Sequence, residues 1–269
     1  MWQQSPDTGG YKSMNRIERA FSSGKAFIPF ITAGDPSLAV TQELVYTMAE
    51  AGADLIELGI PFSDPVAEGP VIQAADERAL SAGTTTDQLF DMVADIRRTC
   101  DIPIAFMTYV NPVFTYGIER FMKQCQSAGV DALIIPDLPY EEREEFLPAC
   151  DAHGVVLISM IAPTSGDRIR MIAKDAKGFI YCVSSMGVTG VRSEISSIVG
   201  EMIQEVKAVN DIFCAVGFGI STPEQAREMA EQSDGVIVGS AIVKIVAEYG
   251  KECVPYVKEY VKQMKSYMG

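Results

Sequence analysis

Glu57 is the residue whose setting most needs a reason. It lies in Leu55-Ile56-Glu57-Leu58-Gly59-Ile60, an otherwise apolar run. Side chains of an extended segment alternate between faces, so Leu55, Glu57 and Gly59 share one face and Ile56, Leu58 and Ile60 the other. An ionised carboxylate on a buried face is costly unless partnered. A structural ion pair would need an inward arginine, and none falls in any strand assigned below. Burial also raises a carboxyl's pKa, which lets it exchange protons near neutrality. Glu68, in Val66-Ala67-Glu68-Gly69-Pro70, is a second carboxylate. Its loop is stiffened by Pro and Gly, so a place at the mouth of the site and a merely solvated loop position are both open to it. Asp137, in Pro136-Asp137-Leu138-Pro139, is a third. Capping a helix that begins near Tyr140 and serving a site are both open to it.

Other residue types narrow the chemistry. All eleven lysines fall in the tail, loops or helices, so no desolvated strand lysine is available to form an imine. His153 is the single histidine, in Ala152-His153-Gly154, where it reads as the last residue of a helix. With no ligand cluster, a zinc-assisted aldol reaction is also excluded. Carbon–carbon chemistry here must run on carboxylate acid–base pairs. Three late segments add a binding function: Met186-Gly187-Val188-Thr189-Gly190, Gly217-Phe218-Gly219-Ile220-Ser221 and Gly239-Ser240-Ala241. Gly-rich backbone and a helix N-terminus can hold a phosphate through N–H groups without cations.

These residues need elements to position them. Eight short β-rich runs alternate with amphipathic stretches: Phe27–Thr32, Ala53–Gly59, Ile102–Thr108, Ala132–Pro136, Val155–Ile161, Phe179–Val183, Phe213–Gly217 and Gly235–Val238. Helix stops are expected at Gly52, Gly129, Gly154 and Gly178. Eight strand–helix units in one chain predict an α/β fold, a single (β/α)₈ TIM barrel over residues 14–269. An open doubly wound sheet would carry a dinucleotide fingerprint after an early strand, and no G-x-G-x-x-G stands there. The stretch between Gly59 and Ile102 is long and holds an additional amphipathic segment, Val71–Ala82, so the barrel is expected to carry an enlarged loop after strand 2. A Gly-rich lid is expected after strand 6. Residues 1–13, polar and without periodicity, read as a disordered tail or leader.

Composition bounds the partners. The 269 residues are 48% hydrophobic and 22% charged, and carry a net charge of −14. Such acidity repels phosphate backbones and anionic lipid, so no nucleic acid and no membrane is expected as partner. No apolar run reaches the roughly 18 residues that span a bilayer. The six cysteines form no C-x-x-C pair and read as core residues in a reducing, cytoplasmic setting.

Taken together, the motifs resemble those of tryptophan synthase α subunits from about Met14 onward. The resemblance lies in Phe27-Ile28-Pro29-Phe30-Ile31-Thr32-Ala33-Gly34-Asp35-Pro36, Ile56-Glu57-Leu58-Gly59-Ile60-Pro61-Phe62-Ser63-Asp64-Pro65, Gly187-Val188-Thr189-Gly190, Gly217-Phe218-Gly219-Ile220-Ser221 and Gly239-Ser240-Ala241-Ile242-Val243-Lys244. It implies retro-aldol cleavage of indole-3-glycerol phosphate to indole and glyceraldehyde 3-phosphate. No cofactor is implied in this chain; pyridoxal phosphate is expected in a partner β subunit, within an αββα assembly that receives the indole. The resemblance assigns Glu57 as proton carrier and Glu68 as the carboxylate at the indole N–H. It places Phe30, Ile72, Tyr109 and Tyr181 around the ring and gives Asp137 an orienting role. Thr189 becomes a lid residue, and Gly190, Phe218, Gly219, Gly239 and Ser240 become phosphate contacts. The family has aspartate where this chain has Glu68. That longer arm sets up a second reading, a catalytically weakened subunit acting mainly as a binding or activating partner. On it, Glu68→Asp would raise kcat.

Overall fold

Each apolar run becomes a strand, and every strand pairing is parallel. The computed structural model describes residues 15–184, 192–217 and 219–269. Its strands are β1 (Ala26–Thr32), β2 (Ile56–Gly59), β3 (Ile104–Met107), β4 (Ala132–Ile134), β5 (Val156–Leu157), β6 (Ser159–Ile161), β7 (Phe179–Val183), β8 (Phe213–Gly217) and β9 (Gly235–Val238). The helices are α1 (Arg16–Ala20), α2 (Leu38–Glu50), α3 (Pro70–Ser81), α4 (Thr86–Ile96), α5 (Val110–Tyr116), α6 (Ile118–Ala128), α7 (Leu147–His153), α8 (Arg168–Lys174), α9 (Arg192–Lys207), α10 (Pro223–Gln232), α11 (Ser240–Tyr249) and α12 (Val254–Tyr267).

The sheet order β5-β4-β3-β2-β1-β9-β8-β7-β6 is that of a TIM barrel with one strand broken. The run Val155–Ile161, expected as one strand, divides at Ile158. Its first half pairs with β4 and its second with β7. Ile158 still donates its N–H to Leu133 O at 2.9 Å. The strand changes partner there, and chain continuity through Ile158 closes the cylinder.

Alternation assigns the two layers. Ala26, Ile28, Leu55, Ala105, Ala132, Ile134, Ile158, Phe179, Ala215 and Ile237 form one inner cluster. The intervening residues, such as Phe27, Ile31, Ile56, Leu58 and Phe106, pack outward against helices. The helix ends follow their local signals. Thr85 with Gln88, and Thr222 with Gln225, form reciprocal N-terminal caps on α4 and α10. Gly129 and Gly154 stop α6 and α7 in the left-handed conformation. His153 ends α7 as expected, and its ring bonds Gln126 and Glu119. The segment Val71–Ala82 is helical as α3, opened by Pro70.

The N-terminal end of the barrel is closed by packing and by charge. Phe21, after α1, stacks on Phe213 at 4.8 Å and tilts against Phe179 at 5.5 Å. Three aspartates latch strands there. Asp54 accepts from Phe27 N at 2.7 Å, Asp131 from Ile104 N at 2.9 Å, and Asp234 from Cys214 N at 2.8 Å. Each also meets a cation: Lys265 at 2.6 Å, Arg97 at 2.7 Å and Lys207 at 3.2 Å. The Arg97 and Asp131 side chains are only 10% and 11% exposed. Asp131→Ala would strand the Arg97 charge, and breaking such a buried pair costs about 3–5 kcal/mol. Urea unfolding should show that loss as a lower midpoint at unchanged slope.

Candidate functional site

The opposite, C-terminal end of the strands carries Glu57 on β2, Tyr181 on β7, Tyr109 after β3 and Gly239 and Ser240 after β9. Glu57 stands on β2 in register with Phe30 of β1 and Ala105 of β3. It is 1% exposed, and neither carboxylate oxygen has a hydrogen-bond partner. Burial, reinforced by the charge of Glu68, pushes its pKa up to about 8. A buried carboxyl without a donor is not a structural device, because nothing in the fold repays its desolvation. Thr32, on the same inward face of β1 as Phe30, also carries a buried hydroxyl without a partner.

Glycines shape the walls beside Glu57. A Cβ at Gly59 would lie 2.7 Å from the Phe30 ring, and one at Gly217 would lie 2.5 Å from Tyr181 Oη. The absence of side chains on β2 and β8 is what lets these two rings lie flat across neighbouring strands. Phe30 packs further with Ile72 and Ala75 of α3 and Val243 of α11. Phe30 and Ile72 thus pack together on one side, and Tyr181 lies beside Gly217 of β8. The Tyr181 phenol is held well above its ordinary pKa by burial and by the charges of Glu57 and Glu68. The two carboxylates and this hydroxyl therefore share one region.

Glu68 is held from the next loop. Burial pushes its pKa up to about 7, an effect that the neighbouring Tyr109 hydroxyl opposes. Tyr109 Oη accepts from Ala67 N at 3.2 Å, so this phenol ties down the backbone next to Glu68. Tyr109 stands at the N-cap of α5, and Asp137 accepts from the next N–H, that of Val110, at 2.9 Å. The helix end that Asp137 meets is not the one expected near Tyr140. Its bond runs to α5, the helix that begins beside Tyr109, whereas the 3₁₀ turn at Tyr140 has no side-chain cap. Nothing in this arrangement supports a weakened subunit.

The glycine-rich ends of β8 and β9 lie at the same face. Gly219 has φ +77°, and a Cβ there would meet nothing within 4 Å. Glycine is required there by its left-handed backbone, and the space beside it is open. Gly239 and Ser240 open α11, whose N-terminus has no side-chain cap. Thr189, Gly190 and Phe218, and with them most of the Gly-rich lid, lie outside the described residues.

One residue escapes sequence reasoning. Asp76 lies on the buried face of α3 with Ile72, Ala75 and Ala79 and is 5% exposed. In Asp76-Glu77-Arg78 it looks like part of a solvated helix face. The available signal is its spacing of four residues from Ile72, which puts both on one face.

Relatives agree with this architecture. A sequence profile of the family described as tryptophan synthase alpha chain matches residues 18–268. The tryptophan synthase alpha chain of Lacticaseibacillus casei is 48% identical over 252 residues, covering 94% of this chain and 95% of that one. That of Halalkalibacterium halodurans is 51% identical, covering 89% and 91%. Among solved structures, tryptophan synthase subunit alpha from Legionella pneumophila superposes with a TM-score of 0.86 at 36% identity, covering 95% of this chain and 99% of that one. A chain from the tryptophan synthase α2β2 complex of Pyrococcus furiosus superposes with a TM-score of 0.83 at 36% identity, covering 90% and 98%. A barrel with an unpartnered inward glutamate on its second strand, together with matches running nearly end to end, places this chain in the tryptophan synthase α chain family.

Proposed function

We propose that the chain is the lyase half of a tryptophan synthase and cleaves indole-3-glycerol phosphate to indole and glyceraldehyde 3-phosphate. The observation that carries this reading is the orphaned carboxyl of Glu57. A group held near pKa 8 is mostly protonated at neutral pH. It gives its proton to C3 of the indole ring and then, as carboxylate, takes the proton of the side-chain hydroxyl. The C3–carbon bond breaks as that hydroxyl becomes the aldehyde, and its electron pair returns to the ring as indole. Between these steps the ring is an indolenine with positive charge on nitrogen. Glu68, ionised beside Tyr109, accepts the ring N–H and stabilises that charge. Phe30, Ile72 and Tyr181 clasp the ring. Gly219, Gly239 and Ser240, with Gly190 and Phe218, bind the phosphate through N–H groups, which suits a chain of net charge −14.

The same reading gives the chain a β subunit as partner. Pyridoxal phosphate belongs to that subunit, and the indole passes to it. In this proposal the enlarged loop after β2 and Thr189 serve communication with that partner. Among the described residues no helix is long and apolar enough to cross a membrane. Five of the six cysteines are buried and all six are free, which fits the cytoplasmic location inferred from sequence.

Indole release from the synthetic substrate, with and without the cognate β subunit, tests the proposal. The pH profile of kcat/KM should be bell-shaped. Glu68 must be ionised, so activity rises through about pH 7. Glu57 must be protonated, so activity falls through about pH 8. Absence of indole release at every pH would remove the reaction.

A further inference from the structure

Glu68 comes from a loop, so its placement depends on what holds that loop. Its own peptide groups are tied on both sides. The Glu68 N–H donates to Pro65 O at 3.1 Å, and the Glu68 carbonyl accepts from Gln73 Nε2 at 2.8 Å. One residue earlier, Ala67 N donates to Tyr109 Oη at 3.2 Å. Gln73 belongs to the first turn of α3, and its own N–H donates to Gly69 O at 3.1 Å. That helix is itself docked. Ile72, Ala75 and Ala79 bury one face of it, and near its far end Arg78 Nε and Nη2 donate to the two oxygens of Asp35 at 2.8 and 2.7 Å. Asp35 is 3% exposed, so this fork is anchored in the protein interior. The Gln73 side chain is exposed, and among the described residues its bond to Glu68 O is the one hydrogen bond it makes.

We propose that Gln73 is a positioning residue for Glu68, the link through which the docked helix α3 sets the orientation of the Glu68 peptide and so the place of its carboxylate. The direction of the bond separates this role from service to the helix. A helix N-terminus leaves N–H groups without partners, and a side chain that serves it accepts from them. Gln73 instead donates, and to a carbonyl that lies before the N-cap, Gly69. With Ala67 N on the head of α5 and Glu68 O on α3, the residue is suspended between two helices. A small rotation of its peptide is magnified along the glutamate arm, and a misplacement of about 1 Å can cost about 100-fold in rate. The inference rests on the role given to Glu68 in the proposed cleavage.

Three variants separate positioning from helix stability. Gln73→Ala removes the donor without adding charge. Gln73→Glu keeps the shape and removes the donor, while its negative charge near the helix N-terminus favours the helix. Gln73→Lys keeps a donor of similar reach but places there a positive charge that the helix disfavours. With the cognate β subunit present, kcat for indole release should fall about tenfold in Gln73→Ala and Gln73→Glu, with KM within about twofold, and should stay within about threefold of the natural value in Gln73→Lys. Tm should run the other way, at or above the natural value in Gln73→Glu and lowest in Gln73→Lys. Turnover that is unchanged in the first two variants, or as low in Gln73→Lys as in them, would overturn the proposal. Amide hydrogen exchange gives an arm that needs no substrate. The Ala67 and Glu68 amides should exchange at least about threefold faster in Gln73→Ala and Gln73→Glu than in the natural chain and in Gln73→Lys. Equal exchange in all four proteins would count against the link. A natural chain that releases no indole at any pH overturns the lyase reading instead, and the exchange arm then decides the Gln73 link alone.

Discussion

Glu57→Gln should lower kcat for indole release by at least about 100-fold while the substrate dissociation constant stays within a few-fold, the signature of a lost acid–base group. The amide keeps the volume of the side chain on β2 between Phe30 and Ala105, so the barrel should pack as before. Stability separates loss of chemistry from loss of fold. The natural carboxyl is nearly neutral when folded and ionised when unfolded above about pH 4.5, so the stability it lends is full below that pH and gone above about pH 8. Glutamine has no such dependence. The variant should match or exceed the natural chain in Tm at pH 9 while remaining inactive. A variant that retains most of its turnover would take Glu57 out of the reaction.

The second large effect belongs to Glu68. Removing its charge with Glu68→Gln should lower kcat by about 100-fold or more, comparable to losing one preorganised electrostatic contact to a transition state. The informative variant is Glu68→Asp. From sequence alone the expected result is a faster enzyme, because the family has aspartate there. The opposite result is predicted here, because the Tyr109 phenol favours the ionised form of Glu68 where the longer arm now stands. Shortening it should withdraw the carboxylate from the phenol and slow cleavage by about tenfold or more, within the about 100-fold expected for a 1 Å misplacement. The comparison is made with the cognate β subunit present. A Glu68→Asp variant faster than the natural chain would restore the weakened-subunit reading.

What can be read in the sequence differs by element for physical reasons. Phe179–Val183, Phe213–Gly217 and Gly235–Val238 are legible residue for residue, because each is a β-rich run bounded by loops or turn residues. The break at Ile158 has no local signal. It arises where one strand must satisfy two neighbours across the closing seam, which is a property of the sheet. The run from Ala53 gives a strand only from Ile56, because the Asp54 side chain replaces a ladder bond at its start. Glu57 is legible as a lone acid in a period-two apolar run. Asp76 is not, since an acid beside Glu77 and Arg78 reads as solvated until the helix is docked. The links Asp137–Val110 and Tyr109–Ala67 join different loops, and pairing between loops leaves no trace in residue spacing.

The aspartate latches at the N-terminal end bear on how the chain assembles. Each joins a strand start to the beginning of the next or next-but-one turn of chain: Phe27 to Asp54, Ile104 to Asp131, Cys214 to Asp234. These are local closures, so each strand–helix unit can be secured before the cylinder is complete and at little loop entropy. The loops after β2 and β7 lie outside all three closures. A chain severed in the loop after β2 or after β7 would leave every latch whole within one fragment or the other. Changes of length or sequence in those two loops are thus uncoupled from the contacts that order construction of the barrel.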